Sequence, residues 1–121
     1  MQESEQLQID RVLIMKPKWG ILILNGNKSW EIRRTDCKFR GRFGIAYSGT
    51  SAIFGTVELV DSFPLTKELF ETQFNKHFIN CRFEDLPSSY KYVWVLKDAH
   101  KLQKPIAFKR KRGALIWQLL K

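Results

Sequence analysis

The stretch Lys16-Pro17-Lys18-Trp19-Gly20-Ile21-Leu22-Ile23-Leu24-Asn25-Gly26-Asn27-Lys28-Ser29-Trp30-Glu31-Ile32-Arg33 sets the first half of the fold. Pro17 suits the first position of a helix, because its missing N–H is one that a helix start leaves unpaired anyway. The helix runs from there through Leu24 and stops at Asn25-Gly26, where glycine takes the left-handed conformation that ends a helix. The run Ile21 to Leu24 would also serve a strand. From Ser29 to Arg34 the residues alternate, which in an extended chain puts Trp30 and Ile32 on one face and Glu31 and Arg33 on the other. A helix, a glycine turn and a half-buried strand with a charged face follow from this reading.

Outward from this stretch, Ile9 to Met15 is rich in branched residues and reads as a first strand. Gly41 to Ser48 and Ala52 to Phe63 read as two more, joined at Gly49-Thr50-Ser51, with Gly44 and Gly55 marking bulges or tight curvature. Thr66 is placed to cap a helix over Lys67 to Lys76, with Leu69, Phe70 and Phe74 on its apolar face. An irregular connection over residues 77 to 90 leads to a strong strand, Tyr90 to Leu96. A shorter strand follows around Pro105 to Phe108, and a last one at Leu115 to Leu119. About six or seven strands and two main helices predict an α+β fold built on a small, curved β-barrel. Residues 9–121 form a single domain and residues 1–8, polar and acidic, a flexible N-terminal tail.

The chain has 121 residues, of which 44% are hydrophobic and 27% charged, enough for a packed core. No stretch approaches the roughly 20 consecutive apolar residues of a membrane span, so no membrane contact is expected and a cytoplasmic location is. Two cysteines, Cys37 and Cys81, and two histidines, His77 and His100, are too few for a disulfide scaffold or a zinc cluster. Neither a metal nor a cofactor is expected, since no phosphate-binding GxxxxGK[S/T] loop and no GxGxxG turn occurs. Arg34, Lys38 and Arg40 surround Cys37 and are able to depress its pKa, although an ordinary free thiol is the simpler expectation.

Charge points further. There are 21 Lys and Arg against 12 Asp and Glu, a formal net charge of +9, and the isoelectric point is about 9.8. Between Lys16 and Arg42, eight bases face only Glu31 and Asp36. After Asp98 no acid remains, while seven bases follow. Two basic segments merged by the fold would attract a polyanion by long-range steering and counterion release. A solvated surface, or a face for an acidic protein, explains the same charge.

Lys28, Glu31 and Arg33 are the residues most able to carry chemistry. Lys28 would neutralise a phosphate or polarise a carbonyl, Glu31 accept from a base edge or act as a general base, and Arg33 hold Glu31 or grip an anion. Their plain alternative is a surface ion pair. Lys16 and Lys18 flank the helix start, where an anion would be welcome. Trp19 and Tyr47 are candidates for stacking on a base, Trp94 and Trp117 for core duty. Lys109, Arg110 and Arg112 lie in a basic loop before Gly113, able to meet phosphates or simply solvent.

Gly26, Lys28, Glu31 and Arg33 match the signature Gly-x-Lys-x-x-Glu-x-Arg of the ASCH domain family, a branch of the PUA-like superfamily. Lys16 to Leu24, Gly55-Thr56-Val57-Glu58-Leu59-Val60 and Tyr92-Val93-Trp94-Val95-Leu96 also resemble that family, so the resemblance spans the chain from about Ile9. It implies a PUA-like β-barrel whose cleft, lined by the motif, binds RNA or modified nucleotides. Some members are hydrolases, ribonucleases among them. One subgroup deacetylates N4-acetylcytidine with a lysine, a threonine nucleophile and a glutamate. Lys28 matches the lysine, but Glu31 stands where the threonine falls, and the equivalent helix region, which ends Asn75-Lys76-His77, offers no secure match for the glutamate.

The leading expectation is therefore a module that binds nucleic acid, RNA the favoured polymer, or a modified nucleotide. The alternative is a hydrolase of RNA or of an acylated nucleoside, with Lys28 and Glu31 as its catalytic residues. A protein-interaction module with an acidic partner is the third reading. RNA, DNA and free nucleoside stay open, as does the oligomeric state.

Overall fold

The computed structural model describes residues 7–113 and 116–120. Six strands make one sheet: β1 (Arg11–Met15), β2 (Trp30–Arg33), β3 (Gly41–Tyr47), β4 (Ala52–Pro64), β5 (Tyr92–Ala107) and β6 (Trp117–Leu119), in the order β2-β5-β4-β3-β1-β6. Helix α1 (Pro17–Leu24) follows β1, and two short helices, α2 (Lys67–Thr72) and α3 (Phe74–His77), follow β4. The sheet is a curled half-barrel, the mixed α+β arrangement expected of a PUA-like fold. β1 and β3 run parallel, with Met15 opposite Tyr47, and the other neighbours are antiparallel.

Curvature comes from the long pair β4 and β5, whose register slips at Ile53/Gly55, Thr56/Glu58 and Leu59/Asp61. The first slip leaves three extra residues on β5, the second one on β5 and the third one on β4, and such insertions bend the strands. At Gly55 a Cβ would stand 2.5 Å from Leu24 Cδ2 and 2.6 Å from the His100 carbonyl oxygen, so only glycine lets α1 and β5 close in on β4 there. Leu13, Ile23, Leu24, Phe43, Ile45, Val57, Leu59 and Trp94 fill the concave side. Trp30, Ile32, Phe70, Ile79 and Val93 form a second cluster, which fixes β2 against the α2–α3 region. Leu7 is half-buried against a third, with Ile9, Val12, Ala46 and Ile53.

Three elements differ from expectation. The helix over Lys67 to Lys76 is broken at Gln73, which has φ −119° and ψ 37°, and Phe74, 47% exposed, starts a new turn. Its spacing from Phe70 is helical, yet the chain bends before that spacing can bury both. Thr66 does cap the first part, accepting from the Leu69 N–H at 3.1 Å. The strands expected at Tyr90 to Leu96 and Pro105 to Phe108 are one 16-residue strand, β5, because Asp98 at φ 53° bends the chain without ending its pairing to β4. The tail over residues 1–6 and the Leu115 start of the last strand lie outside the described residues.

Candidate functional site

Helix α1 ends as its sequence dictates. Gly26 has φ +83°, and the N–H groups of Asn27 and Lys28 both donate to the Leu22 carbonyl at 3.0 Å. This tight cap turns the chain inward. Ser29 is then pinned on both sides: its N–H donates to the Lys76 carbonyl at 3.0 Å, and its own carbonyl accepts from Leu96 N–H at 2.8 Å. These fixed points leave Lys28 facing inward. It is 2% exposed and Glu31 5%, so the pair is buried and the surface ion-pair reading does not hold.

Lys28 Nζ donates to the His77 carbonyl at 2.6 Å and stands 3.9 Å from Glu31 Oε1. On the other side Arg33 Nη1 donates to Glu31 Oε2 at 3.3 Å, and the Arg33 guanidinium lies 5.6 Å from the Trp94 ring centre. Glu31 is thus held between two cations, one buried and one partly open. Burial pushes the Lys28 ammonium down to about 8 from its ordinary value, and the Glu31 charge opposes that only in part. Near neutral pH it is a cation with part of its proton affinity surrendered.

His77 explains how a main-chain carbonyl comes to face Lys28. The imidazole is 1% exposed and stacks on Phe70, with ring centres 4.4 Å apart. Ile79 N–H donates to Nδ1 at 2.9 Å, so the ring proton is on Nε2, which donates to the Phe70 carbonyl at 2.7 Å. Burial lowers its pKa, as does the Lys28 charge, against the opposing pull of the Phe70 carbonyl. A neutral ring locked at both nitrogens fixes the turn whose carbonyl anchors Lys28.

These groups open into a cleft of about 360 Å³, within the range of small-ligand sites. Ile14, Met15, Trp19, Ile32 and Ile79 give it apolar walls, and Ser48, Ser89 and Tyr90 add polar ones. Lys16, Lys28, Arg33 and Arg34 face it against the single carboxylate of Glu31, so the cleft carries an excess of positive charge. The Trp19 ring already receives two ammonium groups, Lys28 Nζ at 4.7 Å and Lys18 Nζ at 4.6 Å from its centre. A base stacking there would compete with the exposed Lys18, which is itself outside the lining.

Of the candidate residues, the structure brings together Lys16, Trp19, Lys28, Glu31 and Arg33. Tyr47 stands apart, stacked on Phe54 with ring centres 4.0 Å apart. Lys109, Arg110 and Arg112 form a separate exposed surface. Trp94 is core, and Trp117 packs on it and on Phe43, as expected. The Cys37 thiol is buried, and burial raises its pKa; Arg40 and Arg11 oppose that shift without reversing it. Its basic sequence neighbours therefore do not activate it. Both cysteines are free, and among the described residues no group of three or more His, Cys, Asp or Glu gathers.

Sequence reasoning missed His77, Ile79, Arg34, Ser48 and Tyr90 as parts of the site. Arg34 adjoins the motif and so carried a signal. Tyr90 follows the Pro87-Ser88-Ser89 break and reaches the cleft because Lys91 N–H donates to the Arg33 carbonyl at 3.1 Å. Nothing local marks His77 as the anchor.

The curled half-barrel that carries Lys28, Glu31 and Arg33 behind a helix, glycine turn and strand matches the PUA-like fold. The sequence model of the ASCH domain matches residues 13–106, and the chain belongs to the ASCH domain family. Solved structures agree in fold. ASCH from Zymomonas mobilis superposes with a TM-score of 0.69 at 16% identity, covering 92% of this chain and 87% of that one. A tyrosine-to-phenylalanine variant of the same protein gives 0.70 at 17%, covering 92% and 89%. Its serine-to-alanine variant gives 0.68 at 16%, covering 92% and 87%. A search among curated proteins finds no match. Among the described residues no helix is long and apolar enough to cross a membrane.

Proposed function

We propose that the protein binds nucleic acid, with RNA the favoured polymer, by seating a single base or modified nucleotide in the Lys28–Glu31–Arg33 cleft. The observation that carries this reading is the buried cluster itself. Burying Lys28 and Glu31 costs more than an isolated ion pair returns, and such groups are retained where they do work. Glu31 is positioned to accept from the amino or imino group of a base, while Lys28 and Arg33 donate to its carbonyls or to a phosphate. The apolar walls suit an unstacked base, and the cationic rim suits the phosphates that come with it.

The test is a fluorescence titration of single-stranded RNA, double-stranded RNA and double-stranded DNA at several salt concentrations, repeated with Lys28→Ala and Glu31→Gln. Binding that weakens with salt, prefers the single strand and drops at least tenfold in both variants is the expected result. No binding at low salt would sink the reading.

Catalysis is the second reading, and the lowered pKa of Lys28 favours it, since a lysine near 8 exchanges protons readily at physiological pH. Ser48 supplies a hydroxyl on the cleft wall, and it donates to the Met15 carbonyl at 3.1 Å. Turnover of RNA or of acylated nucleosides, abolished by Lys28→Ala, would establish this reading in place of simple binding.

A further inference from the structure

The basic loop Lys109–Arg112 contributes nothing to the cleft lining, yet the strand registers place its first residue, Lys109, at the cleft's end of the sheet. β1 and β3 run parallel and finish together, Met15 opposite Tyr47. Just beyond, the N–H and Oγ of Ser48 both donate to the Met15 carbonyl, at 2.8 and 3.1 Å, and Lys16 follows Met15 on the cleft rim. The turn after Ser48 reaches Ser51, whose carbonyl accepts from Phe108 N–H at 3.0 Å, and Ala52 pairs with Ala107. Lys16, Ser48, Ser51, Phe108 and Lys109 therefore succeed one another along one edge.

The loop is also held in shape. Gln118, 6% exposed and paired with Val12 in β1, uses both ends of its amide on one residue. Its Oε1 accepts from Lys111 N–H at 2.7 Å and its Nε2 donates to the Lys111 carbonyl at 3.0 Å. This clamp fixes the backbone between Arg110 and Arg112 and leaves both guanidinium groups exposed around a concavity of about 450 Å³. Among the described residues neither of them pairs with a carboxylate. Every acid of the chain precedes residue 99, so the segment lacks neighbours in sequence that would neutralise it.

Resting on the cleft reading above, we propose that Lys109, Arg110 and Arg112 form a second, phosphate-binding subsite for the same strand. One base occupies the cleft, and the flanking sugar-phosphate backbone passes Lys16 and crosses the loop. The ligand is then a nucleotide within a polymer rather than a free nucleoside. Guanidinium groups that hold phosphate bidentately, on a clamped backbone that follows Lys109, favour a nucleic acid over an acidic peptide.

The experiment is a length ladder of mixed-sequence, single-stranded RNA and DNA oligonucleotides whose first rung is the mononucleotide pool. It is read by fluorescence polarisation for the intact protein, for a Lys109→Gln/Arg110→Gln/Arg112→Gln variant and for Lys28→Ala, each checked for an unchanged melting transition. Affinity rising with length and then levelling is expected. The loop variant should lose at least tenfold on long rungs, none on the mononucleotide, and about 2 from the magnitude of the slope of log affinity against log salt. Lys28→Ala should lose affinity on every rung, and the RNA and DNA arms identify the polymer. If the loop variant binds long rungs as the intact protein does while Lys28→Ala fails, the second subsite is refuted and the cleft reading stands. If the loop variant fails and Lys28→Ala does not, both are refuted, because the strand does not enter the cleft. Tighter binding of polyglutamate than of any rung would also overturn the proposal.

Discussion

The two cationic regions of this protein are built on opposite principles. Around Lys28 the lysine and Glu31 are buried and Arg33 is partly so, and each is held by a defined partner: a carbonyl for the lysine, two cations for Glu31, an aromatic face for Arg33. Around Arg110 and Arg112 only the backbone is held, and the charges stand in water. A group fixed and desolvated before the ligand arrives discriminates between ligands, because a mismatch leaves it unpaired in a medium of low dielectric. Exposed guanidinium groups attract any polyanion and are screened by salt. The first region is suited to choosing a base, the second to recruiting a strand.

That contrast is open to direct attack. The largest effect expected is from Glu31→Leu, which leaves Lys28 and Arg33 facing one another without their shared carboxylate. Breaking a buried pair this way costs about 3–5 kcal/mol, seen as a fall in the urea midpoint. Lys28→Met should cost much less, since it removes a buried charge that the fold disfavours and leaves Glu31 its contact with Arg33. Equal losses in the two variants would show that the cluster is not asymmetric in this sense.

His77→Phe comes next. It preserves the stack on Phe70 but orphans the Ile79 N–H and the Phe70 carbonyl, at about 1–3 kcal/mol for each buried group left unpaired. Because the same turn presents the carbonyl to Lys28, ligand affinity should fall along with stability. Stability lost without loss of affinity would mean that the anchor does not depend on the ring.

Smaller effects follow from pH. Lys28 has a folded value of about 8 against 10.5 for an ordinary lysine. Between those values the unfolded chain holds a proton that the folded protein has released, so this group's contribution to stability rises with pH across that window. Below pH 8 the full cost of burying the charge is present. Denaturant midpoints for the intact protein and Lys28→Met should therefore move apart as pH climbs through the window, because only the intact protein gains. His77, also lowered, acts at the acid end: its contribution is intact above 6.5 and is lost as pH falls toward its folded value, a decline that His77→Phe should lack. The smallest effect is on the stability of the loop variant, within about 0.5 kcal/mol of the intact protein, as expected of exposed residues. A larger loss would show that the loop's charges also serve the fold.

Much of the site was legible because it is local. Pro17, the apolar run to Leu24 and Gly26 announce a helix with a glycine cap, and the alternation from Trp30 to Arg33 puts Glu31 and Arg33 on one face. The spacing of Gly26, Lys28, Glu31 and Arg33 pointed to the family. Where local pattern competed with a distant contact, it misled: Phe74 keeps helical spacing but lies beyond the break at Gln73, and β5 continues through Asp98 because pairing with β4 outweighs one left-handed residue. Cys37 is surrounded by bases in sequence and by the core in space.

What the sequence determined by itself is the helix, turn and strand that carry Lys28, Glu31 and Arg33, the capping of the second helical region by Thr66, and the lack of acids after Asp98. Burial of the cluster belongs to the tertiary structure. So does the anchoring of Lys28 on a carbonyl 49 residues away, the seating of His77 behind it, and the placing of Lys109 beside the turn that follows Ser48. Helix caps and strand alternation depend on neighbours within a few residues, whose chemistry a sequence displays. The curl of the sheet comes from register slips between β4 and β5, and these depend on contacts between chain segments far apart in sequence.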